Sequence, residues 1–198
     1  MRLLLLDNYD SFTYNLYDYI RVSESELSVD VLRNDKITVQ EASGYDIFVL
    51  SPGPGLPAQA GILMPLLAEI SRVKPVLGVC LGLQAIAEHF GGRLHNLDKV
   101  YHGIAREIKV LDREDILYQG LPGRFDVGRY HSWVADPKTL PNDLIVTAVD
   151  ANQQIMSLRH KVYPCFGVQY HPESILTTNG QEIITNFLKY AKGFYREK

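Results

Sequence analysis

Residues 75–92 read PVLGVCLGLQAIAEHFGG. An apolar run over 75–79 leads directly into Cys80. A helical pattern follows over about 81–90, until Gly91 and Gly92 stop it. A strand that passes into a helix through a G-x-C-x-G corner matches the nucleophile elbow, a sharp turn that thrusts its central side chain outward. Gly78 and Gly82 remove the side chains that would collide in so tight a bend. Unpaired N–H groups and the macrodipole at the start of the helix favour a thiolate over a thiol. The Leu81 amide points towards any oxyanion formed when that thiolate attacks a carbonyl. Taken alone, the corner also fits a small buried cysteine in a glycine-rich turn, so the rest of the chain must decide.

Working outward, short apolar runs alternate with amphipathic segments. Residues 2–7 (RLLLLD), 29–33 (VDVLR) and 46–51 (DIFVLS) read as buried strands. Between them lie a helix over 11–23, with Ser11 as its expected N-cap and Phe12, Leu16, Tyr19 and Ile20 on one face, and a short helix over 39–43 capped by Thr38. A further helix covers 61–71, with Ile62, Leu63, Leu66, Leu67 and Ile70 apolar. This alternation predicts an α/β fold, with an open, mostly parallel sheet flanked by helices. From about 93 to 170 the pattern changes to strands with no helices between them. IAREIKV, LIVTAVD, QIMSLRH and CFGVQYH predict added antiparallel strands, and the last is a candidate to rejoin the main sheet. Residues 180–193 close the chain as a helix. With no repeat, linker or low-complexity stretch, residues 1–198 read as one domain.

Composition narrows the function classes. Of 198 residues, 46% are apolar and 22% charged, and the formal charge is -3 with no basic cluster, which argues against a nucleic-acid partner. The four leucines of MRLLLLDNYD are too few for a signal or membrane segment, so a cytoplasmic protein with no membrane partner is expected. Cys80 and Cys165 form no C-x-x-C pair and no metal-ligand grouping, so two free thiols and no bound metal are expected. Cys165 reads as a buried hydrophobe. G-x-G-x-x-G and G-x-x-x-x-G-K-[ST] are both absent, which disfavours dinucleotide and Walker-type phosphate binding.

In an open parallel sheet, ligands collect at the carboxyl ends of the strands. Three loops stand there, DNYDSF at 7–12, PGPG at 52–55 and the cysteine turn. PGPG exposes backbone N–H groups without side-chain obstruction, so the Gly55 and Leu81 amides are a candidate oxyanion pair. A thiol nucleophile needs a base, and six histidines are available. His89 reads as a surface or packed helix residue, and His95, His102 and His160 as solvated. His131, in the run Tyr130-His131-Ser132-Trp133, is a candidate to line a pocket. His171 stands at a strand end before Pro172, with Glu173 close enough to orient its imidazole. His-Pro-Glu is too short to decide alone, but PGPG, the elbow and this triplet in one α/β chain point together to nucleophile, base and orienter.

These residues resemble a known family, the class I (triad) glutamine amidotransferases. PGPG at 52–55, GVCLGLQ at 78–84 and QYHPES at 169–174 follow its order and approximate spacing across essentially the whole chain. The resemblance implies a flavodoxin-like sheet, a catalytic triad of Cys80, His171 and Glu173, and hydrolysis of L-glutamine through a γ-glutamyl thioester. It further implies that Gly53, Pro54 and Gly55, with Gln84, Ser132 and Trp133, hold the glutamine. DNYDSFTYNL at 7–16, YHS at 130–132 and HPESILT at 171–177 narrow the resemblance to the small subunits of anthranilate synthase and 4-amino-4-deoxychorismate synthase. A chorismate-using synthase subunit is then the implied partner. No cofactor is implied for this chain, and Mg²⁺ is expected in the partner. The polar run SESELS at 23–28 departs from the pattern. So does Trp133, where a smaller apolar residue is expected and only a backbone contact would tolerate the change.

Overall fold

The computed structural model describes residues 1–98 and 100–196. Its architecture follows from strand β1 (Arg2–Asp7), which is buried at every position after Arg2. Leu3 and Leu5 enter one hydrophobic core and Leu4 and Leu6 another. A strand with apolar contacts on both faces reads as a continuous apolar run, and it needs cover on both sides. That cover comes from α1 (Thr13–Ser23), which follows β1, and, further along the chain, from the helices after strands β2 (Ser28–Arg33) and β3 (Ile47–Leu50). These are α2 (Val39–Ala42) and α3 (Leu63–Ile70). Strand β4 (Val76–Val79) then runs into α4 (Leu81–His89).

The remaining chain forms strands β5 (Leu94–Asn96), β6 (Ile104–Val110), β7 (Arg124–Arg129), β8 (Trp133–Ala135), β9 (Leu144–Asp150), β10 (Ile155–His160) and β11 (Cys165–Val168). Helix α5 (Gly180–Phe194) closes it. Nine strands make one sheet in the order β2-β1-β3-β4-β11-β10-β9-β6-β7, and β5 pairs with β8 in a second, two-stranded sheet. From β2 to β11 every pairing is parallel, and from β11 to β7 every pairing is antiparallel. Strand β11 does rejoin the main sheet, as its sequence suggested, and it joins the two halves. The parallel half has the doubly wound order of a flavodoxin-like fold, whose ligand edge lies at the carboxyl ends of the strands. Helices α1 and α5 share the core of Leu3 and Leu5, and α3 and α4 share the other. Among the described residues no helix is long and apolar enough to cross a membrane.

Several boundaries differ from the sequence reading, for physical reasons. Ser11 is exposed and does not cap α1. The N-cap position is Phe12, with no side-chain cap. The helix start is instead organised by Asp7, whose Oδ1 accepts from the Tyr9 and Asp10 N–H groups and from the Thr13 hydroxyl. A carboxylate facing a helix N-terminus outcompetes a neutral hydroxyl. Thr38 does cap α2, in a reciprocal capping box with Glu41. Helix α3 starts at Leu63, two residues later than predicted, because Gly61 adopts φ 52° in a turn.

Candidate active site

The elbow is built as the sequence implies. Cys80 alone separates β4 from α4 and holds φ 51° and ψ -98°, a conformation that L side chains avoid. Such strain costs roughly 1–3 kcal/mol and persists only where the surroundings over-determine it. Here a Cβ on Gly82 would lie 2.6 Å from the Leu50 carbonyl oxygen, and one on Gly78 would lie 2.7 Å from the Leu83 nitrogen. The Cys80 N–H donates to the Val168 carbonyl at 2.8 Å, which ties the corner to β11.

Strand β11 delivers the base to that corner. His171 and Glu173 are both 2% exposed, and His171 Nδ1–H donates to Glu173 Oε1 at 2.7 Å. The backbone of His171 is pinned by its N–H to the Gly128 carbonyl and by the Thr177 hydroxyl on its own carbonyl. Phe12 meets the imidazole edge-on and Tyr130 lies tilted against it, with ring centroids at 5.8 and 4.8 Å. Among the described residues no hydrogen-bond partner reaches Nε2, and the Cys80 sulfur acts on the imidazole electrostatically. Burial pushes the imidazole towards the neutral form, but the Glu173 carboxylate and the Cys80 sulfur outweigh it and hold His171 well above the ordinary histidine range. Asp10 brings a second acid, with a carboxylate oxygen within 4.8 Å of ligand-type atoms of His171 and Glu173. Burial raises the Asp10 carboxyl above its usual range, opposed by the Phe12 N–H and His171.

A cavity of about 250 Å³ opens beside Cys80. It is lined by Gly53, Pro54, Gly55, Gln84, Ser132 and Trp133, together with Tyr130 and His131. Leu81 is buried beneath it, and any contribution from Leu81 would come from its backbone at the first turn of α4, where N–H groups lack intrahelical partners. The PGPG loop is clamped by Asn8, which is 2% exposed. Its N–H donates to Ser51 Oγ and its Nδ2 to the Ser51 carbonyl, at 2.8 and 2.9 Å. Gly53 packs so closely there that a Cβ would lie 2.6 Å from Asn8 Cβ. The DNYDSF loop therefore braces the glycine loop through Asn8 and covers His171 through Phe12.

Trp133 takes part through its backbone. Its carbonyl accepts from Gln84 Nε2 at 2.9 Å and from His131 Nδ1 at 3.1 Å, so the size of the indole is immaterial to that contact. Burial, followed by the Arg129 guanidinium, pushes His131 down to about 3, so its ring is neutral. His131 thus lines the cavity as expected. His160 does not behave as expected. It is 7% exposed, stacks on Tyr163, and its Nδ1 accepts the Val162 and Tyr163 N–H groups. The rings of Phe90 and Tyr163, with centroids 4.5 and 4.4 Å away, account for that burial. His95 and His102 are exposed, and His89 is half-buried against the Ser71 hydroxyl. Cys165 is buried, with its thiol on the Ser71 carbonyl. Sequence reasoning missed Asn8, Asp10, Arg129 and Gln169. Gln169 is fully buried, and its side-chain N–H points at Cys80 Sγ from 3.5 Å.

Comparison with known proteins agrees with this arrangement. The family model for class-I glutamine amidotransferases matches residues 4–191. The chain is 42% identical over 200 residues to anthranilate synthase component 2 of Pseudomonas putida, covering 98% of this chain and 99% of the relative. It is also 42% identical over 190 residues to aminodeoxychorismate synthase component 2 of Escherichia coli, covering 94% and 98%. A solved protein of Thermoplasma acidophilum, described as a GMP synthase subunit, superimposes with a TM-score of 0.86 at 28% identity, covering 100% of this chain and 96% of that one. Other relatives are longer. The chain spans 32% of a bifunctional protein of Thermotoga maritima and 26% of a multifunctional tryptophan biosynthesis protein of Schizosaccharomyces pombe. A match over nearly all of its length means that the chain belongs to the class-I glutamine amidotransferase family.

Proposed function

We propose that this chain is the glutaminase subunit of a chorismate-aminating synthase, with anthranilate as the product. The observation that carries the reading is the free Nε2 of His171 beside Cys80, with Nδ1 held by Glu173. The Cys80 thiolate adds to the side-chain amide carbon of glutamine, and the Gly55 and Leu81 N–H groups stabilise the oxyanion. The carbon–nitrogen bond breaks as His171 gives its proton to the departing nitrogen, which leaves as ammonia. Water then attacks the thioester and returns a proton to His171. The carbon–sulfur bond breaks, glutamate leaves and the thiolate is restored. Gly53, Pro54, Gln84, Ser132 and Trp133 hold the substrate in the cavity. Each step is assigned to a side chain or amide of this chain, and the reading asks for no cofactor here. Mg²⁺ is assigned to the partner subunit, and the setting is cytoplasmic.

Equal identity to the aminodeoxychorismate synthase relative supports a second product, because the choice between products lies in the partner. The experiment is reconstitution with each type of chorismate-using subunit, followed by product identification. Cys80→Ser should abolish synthesis from glutamine and leave synthesis from added ammonia intact. Glutamine-dependent synthesis by that variant would refute the nucleophile assignment, and full glutaminase activity without any partner would favour a stand-alone hydrolase.

A further inference from the structure

A chain of buried and partly buried hydrogen bonds runs from the antiparallel half of the sheet to the Cys80 sulfur, and its two ends fix the direction of each bond. Arg129, 1% exposed, is paired with Asp150 at 2.6 Å and directs Nε to His131 Nε2 at 3.1 Å. A guanidinium can only donate, so His131 must accept at Nε2 and carry its proton on Nδ1. That proton goes to the Trp133 carbonyl. A carbonyl can only accept, so Gln84 must turn its Nε2 towards the same oxygen. Gln84 Nε2 has a second hydrogen, which reaches Gln169 Oε1 at 3.4 Å. With its oxygen so engaged, Gln169 has one orientation left, and its Nε2 faces Cys80 Sγ at 3.5 Å. Gln84 and Gln169 are 3% and 0% exposed, so water does not compete for these groups.

We propose that Gln169 is a further catalytic residue, whose oriented side-chain N–H donates to the Cys80 sulfur and stabilises it as the thiolate. Thiol sulfur is a weak acceptor, whereas a charged acceptor makes a much stronger bond, so a fixed donor favours the ionised form. The other titratable groups facing the Cys80–His171 pair are Glu173, Asp10 in the β1–α1 loop, and Tyr130 and His131 after β7. None of them is altered by changing Gln169.

The proposal rests on Cys80 being the nucleophile of the glutaminase, and its test needs no glutamine. The rate of iodoacetamide alkylation at Cys80, read by peptide mass spectrometry, is followed against pH for wild type, Gln169→Met and Gln169→Glu. Methionine is close in shape and removes the donor. Glutamate keeps an acceptor for Gln84 and places an oxygen where the N–H was. Both variants should move the alkylation midpoint upward by about one unit, an approximately tenfold slower reaction below the midpoint. A residue that only fills space would change thermal stability and leave the midpoint in place. A Gln169→Met midpoint equal to wild type, in a protein with native near-ultraviolet dichroism, overturns the proposal. Should that variant fail to fold, Gln84→Met releases the Gln169 amide to rotate. Its midpoint is expected to rise, but by less than in the Gln169 variants, and Gln169→Glu, of the same size as the wild type, then decides: an unchanged midpoint there overturns the proposal equally. A chain that shifts as expected yet releases no ammonia from glutamine with any partner would refute the glutaminase reading alone.

Discussion

Glu173 and burial act on the His171 imidazole in opposite directions, and the carboxylate prevails with the help of the Cys80 sulfur. The pH dependence of stability has a definite sign. A histidine raised in the folded state contributes stability that is complete below its unfolded value of about 6.5 and is lost as pH rises through the folded value. The thermal midpoint of the wild type should therefore fall as pH rises above neutrality. Glu173→Gln removes the main stabilising charge, so its midpoint should fall less over the same range, and parallel curves would refute the assignment. The same variant should lose glutaminase activity on the order of 10²-fold or more, because a base without its orienter is mispositioned. The candidates Cys80, His171 and Glu173, which the fold brings together, could be picked from the sequence because thiol, imidazole and carboxylate chemistry restricts which residue types can serve. Asn8, Arg129 and Gln169 were not legible. The Asn8 and Gln169 amides acquire a role only through partners distant in sequence, Ser51, 43 residues from Asn8, and Cys80, 89 residues from Gln169, while Arg129 is held for nearby His131 by Asp150, 21 residues on.

Among elements, the elbow shows how packing enforces strain. Gly82→Ala would drive a methyl group to 2.6 Å from the Leu50 carbonyl and 2.9 Å from Leu50 Cβ, on the backbone of β3. Overpacking of this kind costs about 1–3 kcal/mol, which lowers the thermal midpoint by roughly 2–4 °C per kcal/mol in a domain of this size. Gly193 provides the contrast. It lies in α5, and a Cβ there would meet no atom of the described residues within 4 Å. Gly193→Ala should raise stability by about 0.5–1 kcal/mol. Differential scanning calorimetry of the two variants checks both signs, and a stabilised Gly82→Ala would show that the elbow is looser than its contacts imply. The parallel half was legible because strands buried on both faces, alternating with helices, leave continuous apolar runs. Strands β5, β7 and β8 were not, because β5 and β8 have three residues each and β7 exposes Arg124 and Asp126 on either side of buried Phe125. Ser11 was misassigned for a related reason. A hydroxyl at a helix start is a sound local cue, but Asp7 supplies a stronger partner from the end of β1.

Across the whole molecule, the site requires both halves of the sheet at once. Cys80 comes from the parallel half and the Ser132–Trp133 wall from the segment that follows antiparallel β7. Both cores cross the junction. One contains Leu77 and Val79 of β4 with Phe166 of β11, Met156 of β10 and Ala148 of β9. The other contains Val76 of β4 with Cys165 of β11, Leu158 of β10 and Leu144 of β9. Shared apolar surface of this extent makes separate opening of either half costly, so unfolding should be a single cooperative event. Trp133 is the only tryptophan, which makes its fluorescence a reporter of the cavity wall, while far-ultraviolet dichroism reports all helices and strands. In a urea titration the two signals should give the same midpoint, and glutaminase activity should disappear over the same range. A Trp133 transition at clearly lower urea would mean that the antiparallel half opens alone. The continuity of the two cores through β11 would then not be what holds the cavity wall against Cys80.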